Sequence, residues 1–256
     1  MASPIALITG ASAGIGAEYA RQLAGRGYDL VLVARREEQL RALAQDISAD
    51  CEILVADLET DAGVDRVVAR IADGSPVALV VNNAGFAARG KVAELDAVRL
   101  AAMLRLNVIA LSRLSHAAMQ RMTADGIGAI INVASGTAFL QMPGNAGYGA
   151  SKSYVVAFTR HMRAEAEGTG VRVQLLVPGV IDTAFHSIAG AAVNRFPPTM
   201  VMTANDVVAA SLTALDRDEG ECFPSLEDVG LWQALVDAEA ALSTNVSRNR
   251  PASRYR

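Results

Sequence analysis

Short runs of valine, isoleucine and leucine alternate along this chain with longer segments in which apolar residues recur at helical spacing. The short runs predict strands at Ile5–Thr9, Leu30–Ala34, Glu52–Ala56, Val77–Asn82, Ala129–Ala134, Val171–Val177 and Glu221–Pro224. The segments between them predict helices at Ile15–Arg26, Glu37–Ile47, Val64–Ala72, Ala97–Met122 and Tyr148–Glu167. Repeated strand–helix alternation indicates parallel strands joined by right-handed crossovers. Because the strands are apolar on both faces, we expect an α/β fold with helices covering both faces of a parallel sheet.

Residues 184–203 interrupt this rhythm, since they show no clear period and contain Pro197 and Pro198. A long irregular segment late in such a fold is typical of a substrate lid. Because no repeat or linker divides the rest, we predict one domain over residues 1–242, with the lid at about 184–203. Residues 243–256 are polar and contain four arginines. They are interpreted as a frayed tail, with a role in subunit contact or in closing the site as the alternative.

Composition narrows the classes of function. The 256 residues are 52% hydrophobic and 20% charged, which is typical of a soluble globular protein with one well-buried core. A formal charge of −4 gives no reason to expect a nucleic-acid partner. No apolar run approaches the ~18 residues that span a bilayer, and the first residues do not resemble a secretory signal. We therefore expect a cytoplasmic protein that is not bound to a membrane.

The first predicted strand runs directly into a glycine-rich turn, Thr9-Gly10-Ala11-Ser12-Ala13-Gly14-Ile15-Gly16, and a helix follows. In this context Gly10 permits a tight turn, Gly14 lets a pyrophosphate approach backbone N–H groups, and Gly16 lets the helix pack close to the sheet. The helix N-terminus adds partial positive charge. The pattern therefore predicts a dinucleotide site, with contacts from Gly10, Ser12, Gly14, Ile15 and Gly16.

The end of the second strand indicates which dinucleotide binds. An acidic residue there normally binds the ribose 2′-hydroxyl of NAD, but this strand ends at Ala34 and is followed by Arg35 and Arg36. Guanidinium groups pair with a 2′-phosphate, so the sequence favours NADP(H), bound by Arg35, with NAD(H) as the alternative. Both arginines could instead begin a solvated helix. Asp57 and Leu58, after the third strand, are candidates for the adenine contact, although Asp57 could be a helix N-cap.

Tyr148 and Lys152 lie four residues apart on one face of a predicted helix, and Ser135 follows the carboxyl end of a predicted strand. Ligands bind at that edge of an open parallel sheet. A carbonyl that accepts a hydride develops alkoxide charge, so it needs a proton donor such as Tyr148. An ammonium nearby favours tyrosinate, so Lys152 is expected to lower the pKa of Tyr148 and to bind the nicotinamide ribose. Ser135 can hold the carbonyl oxygen.

Taken together, these motifs resemble the short-chain dehydrogenases/reductases in their single-domain form. The matching residues, spread over roughly residues 4–225, are Thr9-Gly10-x-x-x-Gly14-x-Gly16, Asn82-Asn83-Ala84-Gly85, Asn107, Ser135, Tyr148-x-x-x-Lys152 and Pro178-Gly179 with Thr183. The resemblance implies a three-layer Rossmann-like fold with a doubly wound parallel sheet of about seven strands. It implies that Tyr148 is the general acid/base and that Ser135 orients the substrate. It further implies that Lys152 supports Tyr148 and that Asn107 holds a water relaying protons from Lys152.

The resemblance also implies the remaining cofactor contacts and an assembly. It places Asn83, Ala84 and Gly85, in the stretch that starts at Asn82, near the adenosine ribose, and it places Pro178, Gly179, Val180 and Thr183 along the nicotinamide carboxamide. Arg35 matches the basic position of NADP-preferring members, whereas Ala13 does not match a second basic position that some members use. Family members commonly form dimers or tetramers through the helices that correspond to Ala97–Met122 and Tyr148–Glu167, so we expect a homodimer or homotetramer.

The leading hypothesis is therefore an NADP(H)-dependent oxidoreductase that interconverts a carbonyl and a secondary alcohol. Apolar residues in the segments expected to border the site suggest a lipophilic small-molecule substrate, although core packing explains much of that character: Phe139, Leu140, Met142, Phe185, Met200 and Met202. One alternative is an NAD(H)-dependent alcohol dehydrogenase of the same family. Another is a non-catalytic dinucleotide-sensing or scaffolding protein, which would be expected to lack Tyr148 or Lys152. The histidines have no metal-ligand spacing, so we predict no metal site.

Overall fold

The computed structural model describes residues 2–182 and 196–256. The strands are β1 Ile5–Thr9, β2 Asp29–Ala34, β3 Cys51–Val55, β4 Val77–Asn82, β5 Gly128–Val133, β6 Val171–Leu176, β7 Val180–Ile181, β8 Val201–Met202 and β9 Glu221–Cys222. The α-helices are α1 Gly14–Gly25, α2 Glu37–Gln45, α3 Asp61–Asp73, α4 Ala97–Leu104, α5 Leu111–Asp125, α6 Ala146–Glu165, α7 Ala204–Asp216 and α8 Gly230–Ser243. All seven predicted strands are present, and α7 and α8 are additional to the predicted helices.

Seven strands form one parallel sheet in the order β3-β2-β1-β4-β5-β6-β9. From β1 the chain moves outward to β2 and β3, and from β4 it moves in the other direction, so the strand order reverses between β1 and β4. A crevice opens beyond the carboxyl ends of the strands at such a reversal, and ligands bind there. The predicted Rossmann-like fold with a seven-stranded parallel sheet is confirmed. Strands β7 and β8 pair separately.

Helices cover both faces of the sheet, as the two neighbouring residues Leu7 and Ile8 of β1 illustrate. Both are 0% exposed, and they point to opposite faces because side chains alternate along a strand. Ile8 belongs to an apolar cluster that includes Leu212 of α7, whereas Leu7 belongs to another that includes Leu114 of α5. The strands are apolar on both faces because each face of the sheet packs against its own layer of helices.

A buried polar network joins α1 to α7 and α7 to β6. Tyr19 Oη donates to Ser211 Oγ at 2.5 Å, and Ser211 Oγ donates to Gln174 Oε1 at 2.6 Å. All three side chains are 0% exposed. Burial raises the pKa of the Tyr19 hydroxyl, which therefore remains a neutral donor. Because buried hydroxyl groups without partners are costly, these bonds fix the position of α7 on α1.

The helix predicted at Ala97–Met122 is interrupted. α4 ends at Leu104, a π-helical turn spans Arg105–Ala110, and α5 then continues to Asp125. Gly126, with φ of +72°, ends α5 in the left-handed conformation that glycine adopts without strain. Apolar spacing does not distinguish a single wide turn from an α-helix, so the sequence analysis missed this turn. Such π-turns are frequent at functional sites, and this one contains Asn107.

The chain forms two compact units, Met1–Pro224 and Ser225–Arg256. The first contains every strand described above, and the second contains α8 and a 3₁₀ turn at Ser253–Tyr255. The single domain over residues 1–242 and the lid at about 184–203 stay predictions, and residues 183–195 lie outside the described part of the chain. Within the described residues, no helix combines the length and apolar character needed to cross a membrane.

Candidate active site

The glycine-rich turn joins β1 to α1 in a conformation that favours glycine. Gly10 and Gly14 have φ of +68° and +58°, where a Cβ is unfavourable, and a Cβ on Gly16 would lie 2.4 Å from the Gly10 carbonyl oxygen. Ser12 and Ile15 are half-buried in the same turn. The first turn of α1, Gly-Ile-Gly-Ala in sequence, contains no acidic residue. Because the first N–H groups of a helix lack intrahelical acceptors, the turn fits the pyrophosphate of a dinucleotide.

Thr9 and Asn83 bind this turn to the end of β4. The Thr9 hydroxyl accepts hydrogen bonds from the backbone N–H groups of Asn83 and Ala84 at 3.0 and 3.1 Å. Asn83 Nδ2 in turn donates to the Thr9 carbonyl at 2.9 Å. A Cβ on Gly10 would lie 3.0 Å from the α-carbon of Ala84. Asn83 and Ala84 therefore lie beside the glycine-rich turn, which we call the glycine cradle. Their contact with a cofactor stays a prediction.

Arg35 and Arg36 point to different partners after β2. Arg35 Nη1 lies 2.7 Å from Glu59 Oε1 and 3.8 Å from Asp57 Oδ1. Arg36 Nη2 donates to Ser12 Oγ in the glycine-rich turn at 2.9 Å. Both arginines are exposed. The edge of the sheet beside the cradle thus carries two accessible guanidinium groups, and the contact of Arg36 with the turn could not be predicted from the sequence.

Asp57 is not the N-cap of the following helix, and that alternative interpretation is wrong. The cap of α3 is Thr60, whose hydroxyl accepts from the N–H of Gly63 at 3.1 Å. The Asp57 carboxylate instead accepts from the N–H of Glu59 at 3.0 Å and stays close to Arg35. The neighbouring Leu58 is buried at 5% exposure. The carboxylate therefore remains at the edge where we expect the adenine.

Ser135, Tyr148 and Lys152 meet at the carboxyl end of β5. Ser135 caps a 3₁₀ turn at Gly136–Phe139, and its side chain is hydrogen-bonded to Tyr148. Tyr148 lies in the first turn of α6, and Lys152 follows one turn later. Lys152 Nζ donates to the carbonyl of Val133 at 2.8 Å and lies 6.0 Å from the centre of the Tyr148 ring. The structure thus brings together the three residues that the sequence analysis selected for proton transfer.

Burial governs the protonation of Tyr148 and Lys152. It raises the pKa of Tyr148 to about 12, while the hydrogen bond from Ser135 and the positive charge of Arg89 act in the lowering direction. It lowers the pKa of Lys152 to about 8. At neutral pH the tyrosine is therefore protonated and able to donate a proton to a developing alkoxide. The positive charge that opposes the effect of burial on the pKa of Tyr148 is that of Arg89.

Asn107 lies in the π-helical turn and holds the loop that follows β4. Its Oδ1 accepts from the N–H of Phe86 at 3.1 Å, and its Nδ2 donates to the Phe86 carbonyl at 2.9 Å and to Ser151 Oγ at 3.1 Å. A Cβ on Gly85 would lie 2.9 Å from Asn107 Oδ1 and 3.6 Å from Lys152 Nζ. Glycine at position 85 therefore leaves room between the amide and the ammonium, and the relay through a water on Asn107 stays a prediction.

The segment after β6 completes the described part of the site. The N–H of Gly136 donates to the carbonyl of Pro178 at 2.9 Å, which places this segment beside Ser135. Pro178 is buried, Gly179 is exposed and Val180 begins β7. Thr183 lies outside the described residues, as do Phe185 and His186 of the predicted lid.

Arg89 is a charged residue near Tyr148 that the sequence analysis missed. It follows Ala87 and Ala88, which are 1% exposed and pack with Tyr148 and Met103 in one apolar cluster. A detectable signal was present, because Arg89 is a basic residue that follows a run of small and apolar residues, Ala84 to Ala88, just beyond β4. The carboxyl end of β4 lies at the same edge of the sheet as that of β5, so a side chain there can face the site.

Comparisons with known proteins identify the family. A model of the short chain dehydrogenase family matches residues 4–193, so this chain belongs to the short-chain dehydrogenases/reductases and is an oxidoreductase. It is 34% identical over 253 residues to sulfoacetaldehyde reductase 2 of Chromohalobacter salexigens, an alignment that covers 97% of this chain and 92% of that protein. The predicted family and enzyme class are therefore confirmed.

Two solved structures are similar over almost their full length. A short-chain dehydrogenase from Sphingobium yanoikuyae in complex with NADPH is 36% identical, with a TM-score of 0.94 over 99% of this chain and 100% of that one. The bulky-bulky ketone specific alcohol dehydrogenase from Comamonas testosteroni is 30% identical, with a TM-score of 0.89 over 100% of this chain and 99% of that one. Members of the family use NAD or NADP.

Proposed function

We propose that this protein reduces a carbonyl compound with NADPH and oxidises the corresponding secondary alcohol with NADP⁺. The observation that carries the proposal is the buried Tyr148 hydroxyl, hydrogen-bonded to Ser135 and one helical turn from Lys152, at the edge of the sheet beside the glycine cradle. When bound, the nicotinamide supplies or accepts the hydride. The chain itself then has to orient the carbonyl and deliver one proton.

Each residue of the site has a separate role in this proposal. The Ser135 hydroxyl binds the carbonyl oxygen and orients it toward Tyr148, which donates its proton as the alkoxide forms. The ammonium of Lys152 stabilises the tyrosinate that remains and binds the nicotinamide ribose. Asn107 holds the loop after β4 in place and supports a water that returns a proton through Lys152.

The preference for NADP(H) is supported by the two guanidinium groups after β2 and by the NADPH complex of the Sphingobium relative. Arg35 would bind the 2′-phosphate, for which it exchanges its ion pair with Glu59. Asp57 and Leu58 would border the adenine. The pyrophosphate would bind the cradle at Gly10, Ser12, Gly14, Ile15 and Gly16, the adenosine ribose would contact Asn83, Ala84 and Gly85, and the nicotinamide end would contact Pro178, Gly179, Val180 and Thr183.

The proposed substrate has an apolar part. Three large apolar side chains follow Ser135 along the 3₁₀ turn and the next loop. They are Phe139, Leu140 and Met142, which are 43%, 54% and 56% exposed. Large exposed apolar side chains beside a binding crevice are typical of ligand contact. The Comamonas relative is named for bulky ketones, which supports a substrate of this kind.

Replacing the proposed acid tests the chemistry directly. Tyr148→Phe removes the proton donor without opening a cavity, so we expect NADPH reduction of carbonyls to fall by about 10²- to 10⁴-fold. NADPH affinity, measured by fluorescence titration, should stay within about twofold. Tyr154→Phe is the matched control, since Tyr154 lies on the same helix with its hydroxyl on Ser112. Sustained turnover by Tyr148→Phe would show that another group donates the proton.

Replacing Arg35 tests the cofactor preference. Arg35→Asp exchanges a charge-assisted bond for repulsion, so we expect NADPH affinity to fall by about 100-fold or more while NADH affinity changes by less than about threefold. Arg41→Asp is the control, because Arg41 is an exposed arginine on α2 that pairs with Glu37. Equal losses for the two cofactors would exclude Arg35 from the 2′-phosphate site and favour the NAD(H)-dependent alternative.

A further inference from the structure

The loop after β4 is fixed alongside Tyr148. Three of its backbone N–H groups are bound: Phe86 to Asn107 Oδ1 at 3.1 Å, Ala88 to Met103 Sδ at 3.1 Å, and Gly90 to the carbonyl of Gly144 at 2.9 Å. The last of these bonds joins the loop to the segment between Ser135 and Tyr148. The backbone of Arg89 lies between the second and third anchored residues, so it is held beside the segment that leads to Tyr148.

Arg89 differs from the other cations nearby because it has no partner in the described part of the chain. Lys91 Nζ lies 3.5 Å from Glu94 Oε1, and the guanidinium of Arg99 lies 5.9 Å from the centre of the Phe86 ring. Arg89 is exposed, and the described residues offer it neither an ion pair nor a hydrogen bond. A guanidinium that has no acceptor among the described residues is available to bind an acceptor from a ligand.

The charges around Tyr148 favour an anion. The segments 85–90 and 135–152, which carry the catalytic residues and the loop, contain Arg89 and Lys152 but no aspartate or glutamate in their sequences. The charge of Arg89 also acts on the Tyr148 hydroxyl, whose pKa it shifts downward. The guanidinium is therefore near enough to Tyr148 for its charge to act on the hydroxyl that faces the substrate.

We propose that Arg89 binds an anionic group of the substrate, so that this protein acts on carbonyl compounds that carry a carboxylate or a sulfonate. The inference rests on the proposed function and names the substrate class of that site. In the reaction the carbonyl becomes an alcohol with a hydride from NADPH and a proton from Tyr148, and the anionic group is unchanged. Carboxylate and sulfonate oxygens both match the planar fork of a guanidinium, so the experiment must compare the two.

One substrate can contact both Arg89 and the exposed apolar residues that follow Ser135. Phe139, Leu140 and Met142 would contact the carbon skeleton. Arg89 lies in the other of the two loops that the Gly90–Gly144 hydrogen bond joins, and it would contact the charged end. Covering Arg89 with an apolar skeleton excludes water, which strengthens the ion pair relative to a fully solvated one. An amphiphilic oxo acid satisfies both features, whereas a neutral ketone leaves the guanidinium without an acceptor.

The test compares anionic carbonyl compounds with neutral analogues on the NADPH-loaded enzyme. The pairs are 4-oxopentanoate with its methyl ester, and sulfoacetaldehyde with methoxyacetaldehyde. We expect kcat/KM to favour at least one anion over its neutral analogue by about tenfold or more. Arg89→Gln should reduce that ratio by about 10- to 100-fold, chiefly through KM, and Arg89→Lys should restore part of it. The ratio is the measured quantity because Arg89 also affects Tyr148 and hence every substrate.

Lys91→Gln is the matched control, since it removes an exposed loop cation outside the site and should leave the ratio unchanged. A ratio that is the same in wild type and Arg89→Gln, or that falls equally in Lys91→Gln, would overturn the inference while leaving the proposed carbonyl reduction intact. If no compound is reduced, the proposed function fails, and calorimetric titration of 4-oxopentanoate and sulfoacetaldehyde then decides the inference. Binding at least about tenfold weaker in Arg89→Gln would support it, and equal binding would overturn it.

Discussion

Lys152 occupies a position that is unfavourable for its own charge. The side chain is 4% exposed, and its ammonium donates a hydrogen bond to the carbonyl of Val133. Burial lowers its pKa from 10.5 to about 8 because the ammonium loses its hydration. The folded protein therefore holds the Lys152 proton less tightly than the unfolded chain does. A residue kept at such a cost is typical of a functional site.

This cost predicts a stability change with a defined pH dependence. Below pH 8 the lysine is charged in both the folded and the unfolded chain, so the full cost of burying the charge is present. Between pH 8 and 10.5 the unfolded chain binds more protons than the folded one. The free energy of unfolding therefore rises with pH in this range. We expect Lys152→Met to stabilise the cofactor-free protein by about 2 kcal/mol at pH 7, with a smaller gain at pH 10. Urea unfolding at the two pH values measures the difference.

The control for this prediction is Lys91→Met, which removes an exposed lysine with 71% of its side chain accessible. It should leave the free energy of unfolding almost unchanged at both pH values. A loss of stability in Lys152→Met that is the same at pH 7 and pH 10 would contradict a charge effect and would indicate that the bond to Val133 dominates.

Residue spacing could predict Ser135, Tyr148 and Lys152 as a group because a helical turn and a strand end determine their relative positions. It could not predict Arg89 or the contact of Arg36 with Ser12. Those positions depend on how loops pack, and here the loop path is set by bonds such as that from Gly90 to Gly144. The periodicity of the sequence carries no information about such contacts.

At the scale of elements, the strands were predicted well because a buried parallel strand needs a short apolar run with sharp ends. Every predicted strand of the sheet is present, and Ile5–Thr9 and Val77–Asn82 have the predicted bounds. The helices were predicted less completely. α7 was missed although Thr203 caps it, with its hydroxyl accepting from the N–H of Asp206 at 3.1 Å, because it follows the irregular segment directly.

The π-helical turn shows why an element boundary can matter for function. Apolar spacing predicted one helix through this region, whereas the wide turn at Arg105–Ala110 separates α4 from α5. Asn107 is in that turn at 1% exposure, and it binds both Phe86 and Ser151. A hydrogen-bonded amide that joins the β4 loop to α6 thus depends on a local departure from α-helical geometry.

At the scale of the whole molecule, an apolar face lies on α4, the π-turn and α6. Val98, Leu104, Ile109 and Tyr154 are 76%, 38%, 50% and 40% exposed. The Tyr154 hydroxyl lies 2.9 Å from Ser112 Oγ, which joins α5 to α6 at this face. Exposed apolar side chains grouped on adjacent helices are typical of a protein interface. We therefore propose that these helices form the interface of the expected homodimer or homotetramer.

A charge placed in this face should separate the subunits. Ile109→Glu would bury a carboxylate in an apolar contact, so we expect the association constant to fall by about 100-fold or more and the protein to sediment near its monomer mass of 26.8 kDa. Ile127→Glu is the matched control, because Ile127 is 73% exposed just before β5, outside the helices of the proposed face. It should keep the wild-type sedimentation coefficient. If Ile109→Glu also keeps that coefficient, the subunits associate through another surface or the chain is a monomer.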